Sequence, residues 1–236
     1  MATEDAATQL REQGVALLRG VFAKRTLNRL KAAATLCFEA IEAGRPVPEH
    51  YRFSRSSHSV LVTALMDFGC GGEEELTAPL AAPGLAPLFR EAMGGEWTCK
   101  MEQSWVRKKF APHQAPAREY HPHSWHQDGA LGARFPLEPG PVIPMTELVT
   151  CWIPLGACGS DSPGLEFVRR RLAGLVHFTE LDDTALRRRF APEELWAPEF
   201  DLGDGVVFLN SILHRTYTRE AMRQNRLSVE YRIFPG

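Results

Sequence analysis

Apolar residues in the first quarter of the chain recur at helical spacing. Across residues 26–43 the apolar positions fall on one stripe of a helix, namely Leu27, Leu30, Ala34, Phe38 and Ile41. Such a stripe is typical of a helix with one buried face. Shorter helices are predicted at residues 6–13, where Gly14 ends the pattern, and at residues 87–93. The apolar run at residues 15–18 predicts a strand between the first two helices.

The pattern changes to that of strands after residue 97. Strands are predicted at residues 97–110, 148–155, 164–168, 206–209 and 227–234, and Pro- and Gly-rich turns separate them. The last strand alternates between an apolar face and a polar face, the polar face being Arg226, Ser228, Glu230 and Arg232. Short strands after a helical preface predict a mostly β fold with flanking α-helices. The predicted core is a jelly roll, or double-stranded β-helix, with the N-terminal helices packed outside.

No repeat or break in composition divides the chain, so residues 1–236 are expected to form one domain. The chain is 44% hydrophobic and 24% charged, and its net charge of -2 gives no basic excess for binding nucleic acid. The five cysteines lack Cys-x-x-Cys spacing, which argues against a disulfide framework and a zinc ribbon. Because neither a signal segment nor a long apolar run is present, a cytoplasmic protein without a membrane span is expected.

The most informative segment is Trp125-His126-Gln127-Asp128-Gly129. A His and an Asp two residues apart lie on the same face of an extended strand, so both side chains can reach one metal ion. His214 is the candidate third ligand, because it follows a turn and a buried strand. Two histidines and one carboxylate form the facial triad of non-haem iron(II) oxygenases, which leaves the opposite face of an octahedron open.

Other histidines compete with this assignment. His113, His121 and His123 lie just upstream of His126. They are candidate loop residues, partners of the ligands or the true ligands. A lone His-x-Asp more often forms a surface pair than a metal site, so the assignment depends on the second motif downstream.

An oxygenase of this type that uses 2-oxoglutarate needs a cation for the distal carboxylate of that co-substrate. Arg226 suits this role, because its planar guanidinium matches a carboxylate with two hydrogen bonds. Ser228 lies on the same face of the strand and can donate to the same carboxylate. The alternatives are Arg219 and Arg223 as the cation, or Arg226 as an exposed arginine on an edge strand.

Together, these residues resemble the phytanoyl-CoA dioxygenase-like branch of iron(II)/2-oxoglutarate oxygenases. The opening at residues 10–22, the His126/Asp128 motif, residues 203–208 followed by His214, and Arg226-Leu227-Ser228 occur in the family's order. The resemblance implies an enzyme that uses Fe(II), 2-oxoglutarate and O2 to hydroxylate an unactivated C–H of a small molecule, with release of succinate and CO2. A role in biosynthetic tailoring is expected.

The resemblance implies further contacts with the co-substrate. Trp152 resembles a tryptophan that lines the co-substrate pocket, although a plain core aromatic is as good an interpretation. Thr216 resembles a hydroxyl residue of that pocket. If residues 97–110 form a regular strand, Gln103 and Lys109 share one face and become second-line candidates. The family's usual turn after residue 168 is replaced by three arginines, Arg169-Arg170-Arg171, which suggests either an anion-binding loop or a divergent surface loop.

Two other function classes stay open at this point. The first is a cupin-type dioxygenase or isomerase that does not use 2-oxoglutarate, and the second is a non-catalytic binding protein on the same fold. A requirement for 2-oxoglutarate distinguishes them from the oxygenase. Substrate-contacting residues are expected in the loops at residues 51–66 and 131–145, the second of which carries Arg134, Phe135 and Leu137.

Overall fold

The computed structural model describes residues 2–116, 120–135 and 143–236. Five α-helices lie in these ranges: α1 (Ala2–Gln13), α2 (Lys24–Glu42), α3 (Glu73–Thr77), α4 (Leu85–Met93) and α5 (Asp183–Arg189). The predicted helices at residues 6–13, 26–43 and 87–93 correspond to α1, α2 and α4. None of the described helices is long and apolar enough to cross a membrane.

Ten strands accompany the helices. They are β1 (Val15–Leu18), β2 (Ser59–Leu61), β3 (Trp97–Cys99), β4 (Trp105–Lys109), β5 (Val149–Pro154), β6 (Gly164–Val168), β7 (Leu195–Trp196), β8 (Gly205–Leu209), β9 (His214–Tyr217) and β10 (Arg226–Pro235). A major sheet has the order β1-β8-β5-β10-β4-β2, with β3 also paired to β10. A minor sheet has the order β7-β6-β9, and the pairs within both sheets are antiparallel.

One predicted strand is wrong. Residues 97–110 do not form a single strand, because a 3-10 turn at Met101–Gln103 separates β3 from β4. The turn is closed by backbone hydrogen bonds from Gln103 to Lys100 and from Ser104 to Met101. The strands predicted at residues 15–18 and 164–168 match β1 and β6 residue for residue.

The major sheet is buried on both faces. Its outer face packs against α1, α2 and α4, with Val229, Tyr231 and Ile233 of β10 in that core. Its inner face meets the minor sheet through a second core that includes Trp152, Phe167 and other apolar residues of both sheets. The predicted alternation of β10 is therefore confirmed, but its polar face points into the molecule. Arg226, Ser228 and Glu230 are each less than 10% exposed.

Candidate metal centre

Three side chains converge where the two sheets meet. The ligand atoms of His126, Asp128 and His214 all lie within 4.8 Å of one another, and this is the one such group among the described residues. Asp128 and His214 are buried, whereas the side chain of His126 is 36% exposed. The sequence motif and the distant histidine are thus brought together in one place.

Main-chain pairing fixes the separation of the two histidines. His126 N–H donates to His214 O at 3.0 Å, and His214 N–H donates to His126 O at 3.0 Å. Thr216 N–H donates to His123 O at 2.9 Å, so residues 123–126 extend the minor sheet beyond β9. The distance between the imidazoles is consequently set by the backbone.

Each imidazole has one nitrogen engaged and one nitrogen free for a metal. The Nδ1 of His126 lies 2.7 Å from Ser124 O, and the Nδ1 of His214 lies 3.0 Å from Ile212 O. Because a carbonyl oxygen only accepts, each Nδ1 carries the proton and each Nε2 keeps its lone pair. Desolvation and the neighbouring His214 lower the pKa of His126 to about 4, so this imidazole is neutral near pH 7.

The carboxylate of Asp128 is held at both oxygens. Thr150 Oγ1 donates to Oδ2 at 2.5 Å, and Arg232 Nη2 donates to Oδ1 at 2.9 Å. Burial alone would raise the pKa of Asp128, but Arg232 and His214 bring it below its ordinary value. The group is therefore ionised, as a metal ligand must be.

A second buried carboxylate, Glu230, faces the same cavity. Arg107 binds it through two hydrogen bonds of 2.9 Å, and Arg232 Nη2 lies 3.2 Å from its Oε1. Burial would raise the pKa of Glu230, but the two guanidinium groups hold it well below its ordinary range. The sequence pattern predicted no role for Glu230, Arg107 or Arg232. The alternation of β10 was the available signal, since it places Glu230 and Arg232 on the face of Arg226.

The space between these side chains is narrow. The cavity volume is about 10 Å³, which is about the room that one water molecule needs. The lining side chains are Arg107, His123, His126, Trp152, Leu165, Phe208, His214, Thr216, Arg226 and Glu230.

Three residues on this face of β10, Arg226, Ser228 and Arg232, have buried polar atoms without partners among the described residues. Arg226 Nη1 donates to Pro163 O at 3.2 Å and to Gly164 O at 2.7 Å, but its Nε has no partner among the described residues. The hydroxyl of Ser228 also lacks a described partner. Unpartnered buried polar atoms are costly, so their presence on one face of β10 points to a missing polar ligand.

The other predicted co-substrate residues divide into two groups. Trp152 and Thr216 line the cavity, and the Arg226 guanidinium lies 5.0 Å from the centre of the Trp152 ring. Trp152 also belongs to the core between the sheets, and its role in a co-substrate pocket stays a prediction. Gln103 lies in the 3-10 turn before β4 and does not share the inner face with Lys109. Among the described residues, Gln103 is not one of the side chains that line the cavity.

Lys109 is fully buried beside Arg226 in the sheet, and its Nζ donates to Ser57 O at 2.7 Å. Burial, together with the charges of Arg107 and Arg226, lowers the pKa of Lys109 to about 6. Without a bound anion, the lowered pKa of Lys109 favours its neutral form at pH 7, and its role in binding the co-substrate stays a prediction.

This pKa predicts a pH-dependent stability. Between pH 6 and pH 10 the unfolded chain takes up a proton on Lys109 that the folded chain does not, so the free energy of unfolding rises with pH by up to about 1.4 kcal/mol per unit. We expect Lys109→Met to lose this slope and to be more stable than the parent protein at pH 7. Urea unfolding of both proteins at pH 7, 8 and 9 measures it. Parallel pH profiles would show that Lys109 is charged when folded.

The two ligand-bearing segments are also joined on their outer side. Trp125 Nε1 donates to Asp183 Oδ1 at 2.8 Å, and Arg215 Nη1 donates to the same oxygen at 2.5 Å. Arg215 also pairs with Glu166 at 2.6 Å and stacks 4.8 Å from the centre of the Trp125 ring. Since Trp125 precedes His126 and Arg215 follows His214, α5 holds both segments through one carboxylate.

We expect Asp183→Ala to lower the free energy of unfolding by about 1 kcal/mol, because two hydrogen bonds are lost at a carboxylate that is half exposed. Thr184→Ala, at the next exposed position of α5, is the matched control and should change stability by less than about 0.5 kcal/mol. Urea unfolding followed by tryptophan fluorescence measures both. Equal midpoints for the two variants would show that the carboxylate contributes nothing.

The three-arginine segment lies on the outer side of the fold. Arg169 and Arg171 donate to the backbone oxygens of Glu193 and Arg11, and Arg170 forms an ion pair with Glu194 at 2.6 Å. None of the three lines the metal cavity among the described residues, which favours the surface-loop interpretation.

The competing histidines and the predicted substrate loops lie in different places. His123 lines the cavity, whereas the exposed His113 and His121 do not. In the first predicted loop, Arg52, Phe53, Arg55 and His58 line a separate groove at the end of α2, and the rest includes β2 and a 3-10 helix at Val62–Phe68. In the second loop, Phe135 contacts the rings of His177 and Phe178, while Leu137 falls outside the described residues.

Comparison with known proteins gives similarity of fold. No protein-family model and no curated protein sequence matches the chain. Solved structures do match it. The non-haem α-ketoglutarate-dependent carbocyclase SnoK from nogalamycin biosynthesis is 16% identical, with a TM-score of 0.64 over 100% of this chain and 86% of that chain.

Two further matches were crystallised with ligands. The epimerase SnoN in complex with Fe3+, α-ketoglutarate and nogalamycin RO is 16% identical, with a TM-score of 0.62 over 99% of this chain and 84% of that chain. EctD from S. alaskensis with 2-oxoglutarate and 5-hydroxyectoine is 15% identical, with a TM-score of 0.68 over 97% of this chain and 74% of that chain. This chain therefore has the fold of non-haem iron/2-oxoglutarate enzymes and carries a His–Asp–His triad within it.

Proposed function

We propose that this protein is an iron(II)- and 2-oxoglutarate-dependent oxygenase that hydroxylates a C–H bond of a small molecule. One observation carries the proposal. The His126/Asp128/His214 group shares the inner face of the fold with Arg226 and Ser228, whose Nε and hydroxyl have no described partner. A metal site and an anchor for a dicarboxylate thus occur side by side.

The residues present fit both groups. Two neutral imidazole nitrogens and one carboxylate oxygen form the facial set that non-haem iron(II) enzymes use, with three positions left open. Iron with a bound oxo-acid supplies the oxidising chemistry, and the protein supplies binding and orientation. We assign His126, Asp128 and His214 to the metal. We assign Arg226 and Ser228 to the distal carboxylate, and Trp152 and Thr216 to the walls of the co-substrate pocket.

The fold supports a more specific family assignment. We infer that the two facing sheets are those of a double-stranded β-helix in a single domain, and that the chain is a divergent relative of the phytanoyl-CoA dioxygenase-like oxygenases. The order of the sequence motifs supports this inference. The alternative cupin-type function finds less support, because His121 lies outside the cavity and His123 is not within the 4.8 Å ligand group.

We infer that side chains around the cavity move when the co-substrate binds. The cavity has room for about one water molecule, whereas 2-oxoglutarate is a five-carbon dicarboxylate with about ten heavy atoms in all. Arg226 is the side chain placed to respond, because its Nη1 would exchange the Pro163 and Gly164 carbonyls for a carboxylate, a stronger acceptor.

Anaerobic titration of the iron(II)-loaded protein with 2-oxoglutarate tests the proposal. Chelation of iron(II) by the oxo-acid gives a weak charge-transfer band in the visible region, and we expect this band to appear and to saturate. Succinate, which has no keto group to chelate, is the control and should give no band. Iron binding without a band would contradict the co-substrate assignment and favour the cupin-type enzyme, and failure to bind iron would contradict the metal site itself.

A further inference from the structure

The cavity holds two buried carboxylates where the proposed metal site needs one. Asp128 is 4% exposed and Glu230 is 7% exposed. Arg232 Nη2 lies 2.9 Å from Asp128 Oδ1 and 3.2 Å from Glu230 Oε1, so those two oxygens are within two hydrogen-bond lengths of each other. Only the Asp128 oxygen belongs to the group of ligand atoms within 4.8 Å.

Glu230 has cationic partners at both of its oxygens. Arg107 Nε donates to Oε2 and Arg107 Nη2 donates to Oε1, both at 2.9 Å, which is the paired geometry that a guanidinium forms with a carboxylate. Arg232 adds a third contact to Oε1. Both oxygens of Glu230 are thereby occupied by cations, whose side chains are only 10% (Arg107) and 11% (Arg232) exposed.

A carboxylate buried without such partners would bind the strongest cation within reach, because an unpaired buried charge is costly. In this cavity that cation would be the metal. Three protein ligands on an octahedral ion leave three positions, which suffice for a chelating oxo-acid and dioxygen. A fourth protein ligand would leave two positions, which is one too few.

We propose that Arg107 and Arg232 hold Glu230 out of the metal's coordination sphere and thereby preserve its three open positions. The inference rests on the metal site of the proposed function. It assigns Arg107 and Arg232 as positioning residues that act through Glu230, and it gives a reason for a buried ion pair beside a site that needs no second carboxylate.

Cobalt(II) serves as the test probe, because its visible absorption reports the ligand set without turnover. In Arg107→Met we expect Glu230 to join the metal, so the Co(II) band changes shape and Co(II) binds at least tenfold more tightly by calorimetry. The double variant Arg107→Met/Glu230→Gln should return both the band and the affinity to within about threefold of the parent protein. Glu230→Gln alone should leave the band unchanged, because Glu230 is not a ligand in the parent.

Failure of the metal site and failure of the proposed role of Arg107 would give different results. If the parent protein does not bind Co(II), the proposed metal site fails. If the parent binds Co(II) and the Arg107→Met affinity changes while the band does not, the arginine acts by charge alone and the inference is overturned. A changed band in Glu230→Gln alone would also overturn it, since Glu230 would then be a ligand already. Circular dichroism checks folding, and Arg107→Lys, which keeps the charge but loses the fork, replaces Arg107→Met if that variant does not fold.

Discussion

His214→Ala is expected to weaken Mn(II) binding by at least about 100-fold, or about 2.7 kcal/mol, and to abolish turnover of 2-oxoglutarate. Loss of a residue that merely supports a ligand costs 10–100-fold in metal affinity, so loss of a ligand should cost no less than the upper end of that range. The main chain of residue 214 should remain paired to His126, because both hydrogen bonds of that pair are backbone to backbone. Isothermal titration with Mn(II) measures the affinity.

His121→Ala is the matched control for this prediction. His121 is exposed, lies close to the motif in sequence and contributes only its backbone N–H, which donates to Ser56 O at 2.8 Å. Its variant should bind Mn(II) as the parent does. If His121→Ala weakens binding and His214→Ala does not, the ligand set proposed for this site is wrong.

Arg226→Met should weaken binding of 2-oxoglutarate by about 100-fold while leaving Mn(II) affinity within about threefold of the parent. Arg226 is 3% exposed, so water does not compete for a paired, charge-assisted contact that its guanidinium makes. Methionine fills much of the same volume but cannot donate a hydrogen bond. Titration of 2-oxoglutarate into the Mn(II)-loaded variant measures the affinity.

Arg219→Met controls for loss of a nearby positive charge. Arg219 was the alternative anchor in the sequence, and in the structure its side chain donates to Ser160 O at 2.7 Å from an exposed position. We expect 2-oxoglutarate to bind this variant normally. Equal affinities for Arg226→Met and the parent would remove Arg226 from the site and would leave its unpartnered Nε without an explanation.

Much of the candidate site could be predicted because it depends on local spacing. The i, i+2 rule for a strand put His126 beside Asp128, and the same rule put Arg226 beside Ser228. His214 required only that a second motif follow a buried strand. Arg226 and Ser228 do lie in one strand, β10, but residues 126–128 form none: His126 makes an isolated bridge to His214, and Asp128 begins a 3-10 turn.

The remainder depends on tertiary contacts that spacing does not contain. A polar face on a strand usually indicates solvent, and nothing in the alternation of β10 shows that the minor sheet covers that face. The role of Glu230 was missed for that reason, since its partner Arg107 comes from a strand 123 residues away. The strand at residues 97–110 was predicted without its 3-10 turn, because the turn is stabilised by its own backbone hydrogen bonds and not by a glycine or proline. Strand β9 was missed because His214–Tyr217 is only four residues long and its pattern is mixed.

The two backbone hydrogen bonds between His126 and His214 position these residues independently of the chemistry of their side chains. Both hydrogen bonds belong to the main chain, so they do not depend on an imidazole and are open to any residue with a backbone N–H. A histidine exchanged there for a carboxylate or a thiolate would change the preferred metal while the spacing of the two Cα atoms stays the same. The protein is therefore a suitable template for redesign, because its metal ligands can be exchanged one residue at a time while the backbone spacing stays the same.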